Sequence, residues 1–178
     1  YFHELSSKNS ELLYEDDKVL VRTIPLQHRV YTNGFLFQEK EGERRLNMDA
    51  IAQYPEIEVC DYQNIKNGKD IILENGKTIA NAELTFEPHR PQSYAYCSDT
   101  VYLEDLATEI RGTRVIYHES TFLKINEELA TKTMHATPYQ AGLVAKNAQA
   151  EALILGHYSS RYPDVNMFKQ EAQEVFKN

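Results

Sequence analysis

The sequence predicts an α/β fold whose strands deliver chemically active side chains at their C-terminal ends. Three observations carry that prediction. Short β-branched or aromatic runs alternate with helical patterns over the second half of the chain. Three of these runs end in metal-competent residues: Tyr94-Ala-Tyr-Cys-Ser leads to Asp99, Arg114-Val-Ile-Tyr to His118-Glu119, and Ile154-Leu-Gly to His157. Finally, 42% of the 178 residues are hydrophobic, with seven Gly against twelve Tyr, which is enough apolar material for one packed domain and argues against disorder.

In chain order, Leu12 to Tyr14 and Lys18 to Leu26 read as strands around the turn Glu15-Asp16-Asp17, with Val19, Val21 and, after a phase shift, Ile24 as the apolar row. The second strand is expected to end at His28. Gly34 to Gln38 is its antiparallel return, with Asn33-Gly34 as turn material. Residues 39–91 change character and read as an insertion. Glu39 to Arg45 is charged and solvated, Asn47 to Tyr54 is a short helix capped at Asn47 and ended by Pro55, and Asp70 to Ala80 is a hairpin around Asn75-Gly76. Residues 92–178 form the α/β part. Ser93 to Ser98 is a strand, Glu104 to Ile110 a helix, and Arg114 to His118 a second strand. Thr137 caps a helix with Pro138 at its first position, running to Ala148 with Ala141, Val144, Ala145 and Ala148 on one face. Ala152 to Gly156 is the third strand. Asn166 to Phe176 closes the chain as an amphipathic helix, with Phe168, Ala172, Val175 and Phe176 on one side.

Composition narrows the function classes. A formal net charge of −8 lacks the surplus of Lys and Arg on which phosphate-backbone binding depends, although bound metal ions would add positive charge locally. Two cysteines, Cys60 and Cys97, are too few for a disulfide framework or a Cys-based zinc site, and Cys97 reads as a buried thiol. No run approaches about 18 consecutive apolar residues, and Tyr1 to Ser10 lacks signal-peptide architecture. The expectation is a cytoplasmic protein with no membrane partner.

The sharpest chemical reading is a metal hydrolase. A carboxylate can bridge two divalent ions roughly 3.5–4 Å apart while neutral imidazoles fill other positions, which acidifies a bound water near neutral pH. Asp99 would be the bridge, with His28 and His157 as terminal ligands. A plainer alternative has Asp99-Thr100 capping a helix and His157 as a hydrogen-bonded histidine at a strand end. His118 reads as structural, with a backbone partner. Glu119 could accept the ring N–H of His135 and so fix its tautomer. Arg161 could touch a phosphate or pair with Asp164 or Glu151. Tyr158 and Tyr162 could stack on a base or pack in the core, and His3 and His89 belong to the surface.

At these residues the sequence resembles a known family. Pro25-Leu-Gln-His28-Arg-Val-Tyr-Thr-Asn-Gly34-Phe, Tyr96-Cys-Ser-Asp99-Thr100, His118-Glu-Ser-Thr121-Phe, His135-Ala-Thr137 and Leu155-Gly-His157-Tyr-Ser-Ser-Arg161-Tyr are similar to successive landmarks of ribonuclease Z, the tRNA 3′-processing endonuclease of the metallo-β-lactamase fold. The resemblance runs from about Leu20 to Phe176. It implies the C-terminal half of an αββα sandwich carrying an inserted arm, two zinc ions, and precursor tRNA as substrate. By the same similarity His28 and His157 are terminal zinc ligands, Asp99 bridges, His135 stabilises the scissile phosphate or the leaving oxygen, and Glu119 orients His135.

The departures carry expectations too. The family's His-x-His-x-Asp-His motif, which lies upstream of the position matching His28, is absent, and only 27 residues precede His28. The chain is therefore expected to be the C-terminal part of a longer enzyme, catalytically silent alone, weak in zinc binding, and self-associating, as a dimer, through a bared sheet face. The 39–91 insertion sits where the family carries a tRNA-elbow arm, but it has few lysines and no Gly-Pro element, so a packing or dimer role stays equally open. Two other functions also stay open: a metallo-β-lactamase-fold hydrolase acting on small phosphodiesters or sulfate esters, and a non-catalytic interaction protein.

Overall fold

The structure is a computed structural model that describes residues 4–177, so His3 lies outside the described residues. Two compact units are present: Lys40–Pro91, and the described residues on either side of it.

The larger unit opens with β1 (Leu12–Glu15), β2 (Val19–Pro25) and β3 (Asn33–Glu39). The Lys40–Pro91 unit contains β4 (Arg45–Leu46), α1 (Met48–Ile51), α2 (Tyr62–Lys66), β5 (Ile71–Ile72), β6 (Thr78–Ile79), α3 (Asn81–Leu84) and β7 (Thr85–Phe86). Thereafter come β8 (Ser93–Cys97), α4 (Leu106–Glu109), β9 (Val115–Glu119), α5 (Glu127–Thr133), α6 (Pro138–Asn147), β10 (Ala152–Gly156) and α7 (Asn166–Gln173).

One six-stranded sheet, ordered β1-β2-β3-β8-β9-β10, organises the larger unit. Its first three strands are antiparallel neighbours, as their hairpin-length connections require, whereas β8, β9 and β10 are parallel and joined by crossovers containing helices. One face is covered. Ile24, Leu36, Ala95, Cys97 and Ile116 from the sheet pack with Leu106, Ala107 and Ile110 from around α4 and with Val144, Ala145 and Ala148 from α6 and its C-cap. Burial pushes the Cys97 thiol up to about 12, so it behaves as the small hydrophobe its apolar run predicts. On the opposite face, Phe37, Tyr94, Tyr96, Tyr117 and Ile154 form an aromatic stripe, with Phe37 stacked at 6.2 Å on Tyr94 and Tyr96 at 4.8 Å on Tyr117. Phe37, Tyr96 and Ile154 remain 40%, 37% and 48% exposed.

Several elements sit where the pattern puts them. Thr137 accepts from the Gln140 N–H, and the Gln140 side chain bonds back to the Thr137 N–H, a reciprocal cap that starts α6 with Pro138. Asn47 caps α1, and Gly76 at φ +81° turns the β5–β6 hairpin. Others shift. The strand expected to reach His28 stops at Pro25, and Ile24 lies on the covered face while Val19 and Val21 share the other. Asn33-Gly34 is not a turn, because these residues begin β3 opposite Pro25 and Ile24. Glycine is needed there for close approach, since a Cβ on Gly34 would clash with the Tyr96 carbonyl oxygen. The short α5, with Glu127 and Glu128 in its first turn, has no counterpart in the sequence pattern.

The α6–α7 contact makes one packing prediction. A Cβ on Gly142 would lie 2.7 Å from Val175 Cγ2 and 2.9 Å from the Ala172 carbonyl oxygen, and the latter is backbone that cannot swing aside. Overpacking of about 1–3 kcal/mol set against roughly 1 kcal/mol gained in helix propensity makes Gly142→Ala a net loss of up to about 2 kcal/mol. A denaturant midpoint no lower than wild type would contradict this.

In the Lys40–Pro91 unit, Ile51, Ile57, Ile65, Leu73, Ile79 and Leu84 form a small core of their own. Buried Asn81 ties it together, donating to the carbonyls of Ile65 at 2.6 Å and Lys69 at 3.0 Å. His89 in this unit is exposed.

Candidate metal centre

Because β2 and β8 each pair antiparallel with β3, while β8–β9 and β9–β10 are parallel, the strands β2, β8, β9 and β10 all point the same way. Their C-terminal ends therefore lie along one edge, and the segments there carry His28, Asp99, Glu119 and His157. Asp99 follows β8 at φ +54° and His157 follows β10 at φ +57°. A non-glycine residue in this left-handed region costs on the order of 1–3 kcal/mol, a burden typical of residues held for chemistry. No helix begins at Asp99; α4 starts at Leu106 with Asp105 as its N-cap, which removes the capping alternative.

The three expected ligands converge. His157 Nε2 lies 3.0 Å from Asp99 Oδ1, and one ligand atom each from His28, Asp99 and His135 all lie within 4.8 Å of one another. Asp99 thus reaches both His28 and His157, as a bridge must. The His135 ring sits between the other two, with centroids 4.9 Å from His28 and 5.2 Å from His157. His28 is oriented by its Nδ1, which donates to the Met134 carbonyl at 2.9 Å; Met134, at φ +61°, ends α5 in the left-handed turn that exposes this carbonyl. Imidazole nitrogens and a carboxylate oxygen are the donor set of a divalent transition ion, so these residues fit a metal site.

Beneath them Glu119 is fully buried. Its Oε1 accepts from the Thr100 N–H at 2.9 Å and His135 Nδ1 at 2.7 Å; its Oε2 accepts from Thr121 Oγ1 at 2.7 Å, the Thr121 N–H at 3.2 Å and the Ala136 N–H at 3.1 Å. Five donors on one side chain is the pattern of a carboxylate anchoring three loops. The sequence pattern pairs Glu119 with His135 but carries no signal for Thr121, the next residue but one. Thr121 Oγ1 also lies 2.8 Å from His157 Nδ1.

The remaining candidates sort by their partners. His118 is buried and burial holds its ring below the ordinary value, with Nδ1 donating to the Glu119 carbonyl at 2.7 Å while Nε2 has no hydrogen-bond partner. Arg161 places its guanidinium 5.0 Å from the Phe122 ring centroid, and Phe122 packs edge-on to His135 at 6.1 Å. The ion-pair candidates for Arg161 are otherwise engaged: Glu151 binds Arg114 at 2.7 Å, and Asp164 accepts from the Asn166 backbone. Tyr158 and Tyr162 pack on Phe168 and spend their hydroxyls on the Leu155 carbonyl and on Asn126, so they are framework rather than base-stacking platforms.

No family model matches the chain. Curated relatives do. The chain is 40% identical over 177 residues to Ribonuclease Z of Phocaeicola vulgatus, covering 99% of this chain and 57% of the relative. With Ribonuclease Z of Bacteroides thetaiotaomicron it shares 38% over 176 residues, covering 99% and 55%. The chain thus spans little more than half the length of these relatives. Among solved structures, the metallo-β-lactamase fold protein YhfI from Bacillus subtilis superposes with a TM-score of 0.59 at 14% identity, over 94% of this chain and 48% of that one. Human tRNase Z, short form, gives a TM-score of 0.52 at 21% identity, over 88% and 43%. At such identities the superpositions speak for the fold, which is the metallo-β-lactamase fold. Joined to these superpositions, the curated relatives make the chain similar over nearly its whole length to part of ribonuclease Z.

Proposed function

We propose that this chain forms the C-terminal part of a zinc-dependent endoribonuclease that hydrolyses a phosphodiester to remove the 3′ trailer of precursor tRNA. The observation that carries the reading is the meeting of His28, Asp99 and His157 with the buried Glu119–His135 couple at one sheet edge. His28, Asp99 and His157 would hold the zinc. Bound zinc supplies Lewis acidity toward phosphoryl oxygens and activates water for attack.

The chain's own contribution is orientation and proton handling. Glu119 fixes His135 at Nδ1, which leaves Nε2 as the atom that meets the substrate; when the ring is doubly protonated, its Nε2–H gives a proton or hydrogen bond to the leaving oxygen and the ring is left neutral. Arg161, laid over Phe122 beside His135, would contact a non-bridging phosphate oxygen. The whole enzyme is proposed to be a cytoplasmic homodimer.

Incubation of the zinc-loaded full-length protein with 3′-extended precursor tRNA and with bis(p-nitrophenyl) phosphate tests the reading. Cleavage at the trailer junction is expected, and His135→Ala should lower its kcat by roughly 10²–10⁴-fold with zinc content unchanged. Turnover of the small diester with the tRNA left intact would move the assignment to another hydrolase on this fold.

A further inference from the structure

We propose that Thr121 is a positioning residue: its hydroxyl ties His157 to the Glu119–His135 couple and holds the His157 ring in the tautomer that presents Nε2 as an electron-pair donor. The inference rests on the metal-hydrolase reading above and adds a residue to it.

Thr121 is only 7% exposed, and its Oγ1 lies 2.7 Å from Glu119 Oε2 and 2.8 Å from His157 Nδ1. A hydroxyl has a single proton to give. Glu119 already accepts from the N–H groups of Thr100, Thr121 and Ala136 and from His135, so it has no proton to offer Thr121 and must receive one. The hydroxyl then faces His157 with lone pairs alone, and the 2.8 Å contact is an Nδ1–H donating to oxygen. A neutral ring with its proton on Nδ1 has its lone pair on Nε2. That atom lies 3.0 Å from Asp99 Oδ1, a second acceptor, and two electron-pair donors so close are brought together favourably by a shared cation.

His157 needs such an anchor more than His28 does. Its side chain is 39% exposed and it hangs from a left-handed backbone position after β10. His28 has the Met134 carbonyl for the same purpose. Thr121 differs from that carbonyl because it both accepts and donates, so the ligand and the proton-handling couple share one hydrogen-bond chain: His157 Nδ1–H to Thr121, Thr121 O–H to Glu119, and His135 Nδ1–H to Glu119. Groups that orient a metal-bound imidazole in this way are typically worth 10–100-fold in metal affinity or activity.

The test uses the full-length protein with Thr121→Val, which removes the hydroxyl at nearly constant shape, and Thr121→Ser, which keeps it. In metal-stripped protein, imidazole ¹⁵N shifts are expected to show the Nδ1–H tautomer of His157 in wild type and T121S, with the Nε2–H tautomer gaining in T121V. Zinc affinity, measured by chelator competition, should fall roughly 10–100-fold in T121V and return toward wild type in T121S. If T121V does not fold, Thr121→Ala gives the same two readouts without a methyl group against the ring. A folded variant lacking the hydroxyl that keeps the wild-type tautomer and zinc affinity overturns the proposal. Both readouts are taken without RNA, so a wild-type protein that leaves precursor tRNA intact would sink the proposed function and leave the role of Thr121 to be decided by them.

Discussion

Glu119→Ala in the full-length enzyme is expected to cost about 3–5 kcal/mol of folding stability and to lower trailer cleavage by roughly 10²–10⁴-fold. The stability loss comes from what is left behind. Three backbone N–H groups, the Thr121 hydroxyl and the His135 ring all point at the Glu119 carboxylate, and burial leaves little water to replace it. The activity loss has a separate origin, because His135 loses the contact that fixes its Nδ1 and His157 loses the far end of its anchor through Thr121. Glu119→Gln separates the two effects. Whichever way the amide turns, its NH₂ confronts donors: Thr100 and His135 at one position, Thr121 and Ala136 at the other. The less costly choice turns NH₂ toward His135, which can switch tautomer, and leaves the Thr100 N–H unpaired. E119Q should therefore retain more stability than E119A while remaining defective in turnover. Chemical denaturation alongside single-turnover cleavage reads both, and wild-type values for E119A would remove Glu119 from the mechanism.

The 178-residue chain produced alone is expected to cleave no precursor tRNA, to bind zinc weakly and to self-associate. The ligands it brings are His28, Asp99 and His157 together with His135, while the His-x-His-x-Asp-His motif of the family is absent from it, and metal affinity follows ligand count. The aromatic face of the sheet gives the second part. Phe37, Tyr96 and Ile154 are exposed beside Tyr94 and Tyr117, and a contiguous apolar patch of more than a few hundred Å² is seldom left in water. In the full-length protein we expect that face to be covered by the part of the relatives' length that this chain does not span. A cleavage assay and light scattering check the two parts: trailer-specific cut products contradict the first, and a monodisperse monomer contradicts the second.

What was legible in the sequence was local. Strands ending in Asp99, Glu119 and His157, the Thr137-Pro138 helix start and the Asn75-Gly76 hairpin are written in residues a few positions apart, and the parallel order of β8, β9 and β10 then brings the ends together. What escaped depends on neighbours distant in sequence. Asn33-Gly34 looks like a turn until the Tyr96 carbonyl is placed against Gly34. Thr121 looks like a spacer until β10 sets His157 beside it, 36 positions away. Tyr158 and Tyr162 look available for stacking until Phe168 on α7 takes both rings. The acidic total charge says little about this site, because it sums the whole surface whereas the site is built from a few converging groups.

Glu119 collects donors from the segment after β8, the segment after β9 and the stretch before α6. Connections of this kind ordinarily breathe independently of the sheet they join. Clasped to one ion, these three can separate only by giving up that charge to a dry interior, so they open together with the core or not at all. A ligand arriving at this sheet edge therefore meets a fixed floor, and selection falls to how well that ligand conforms to it.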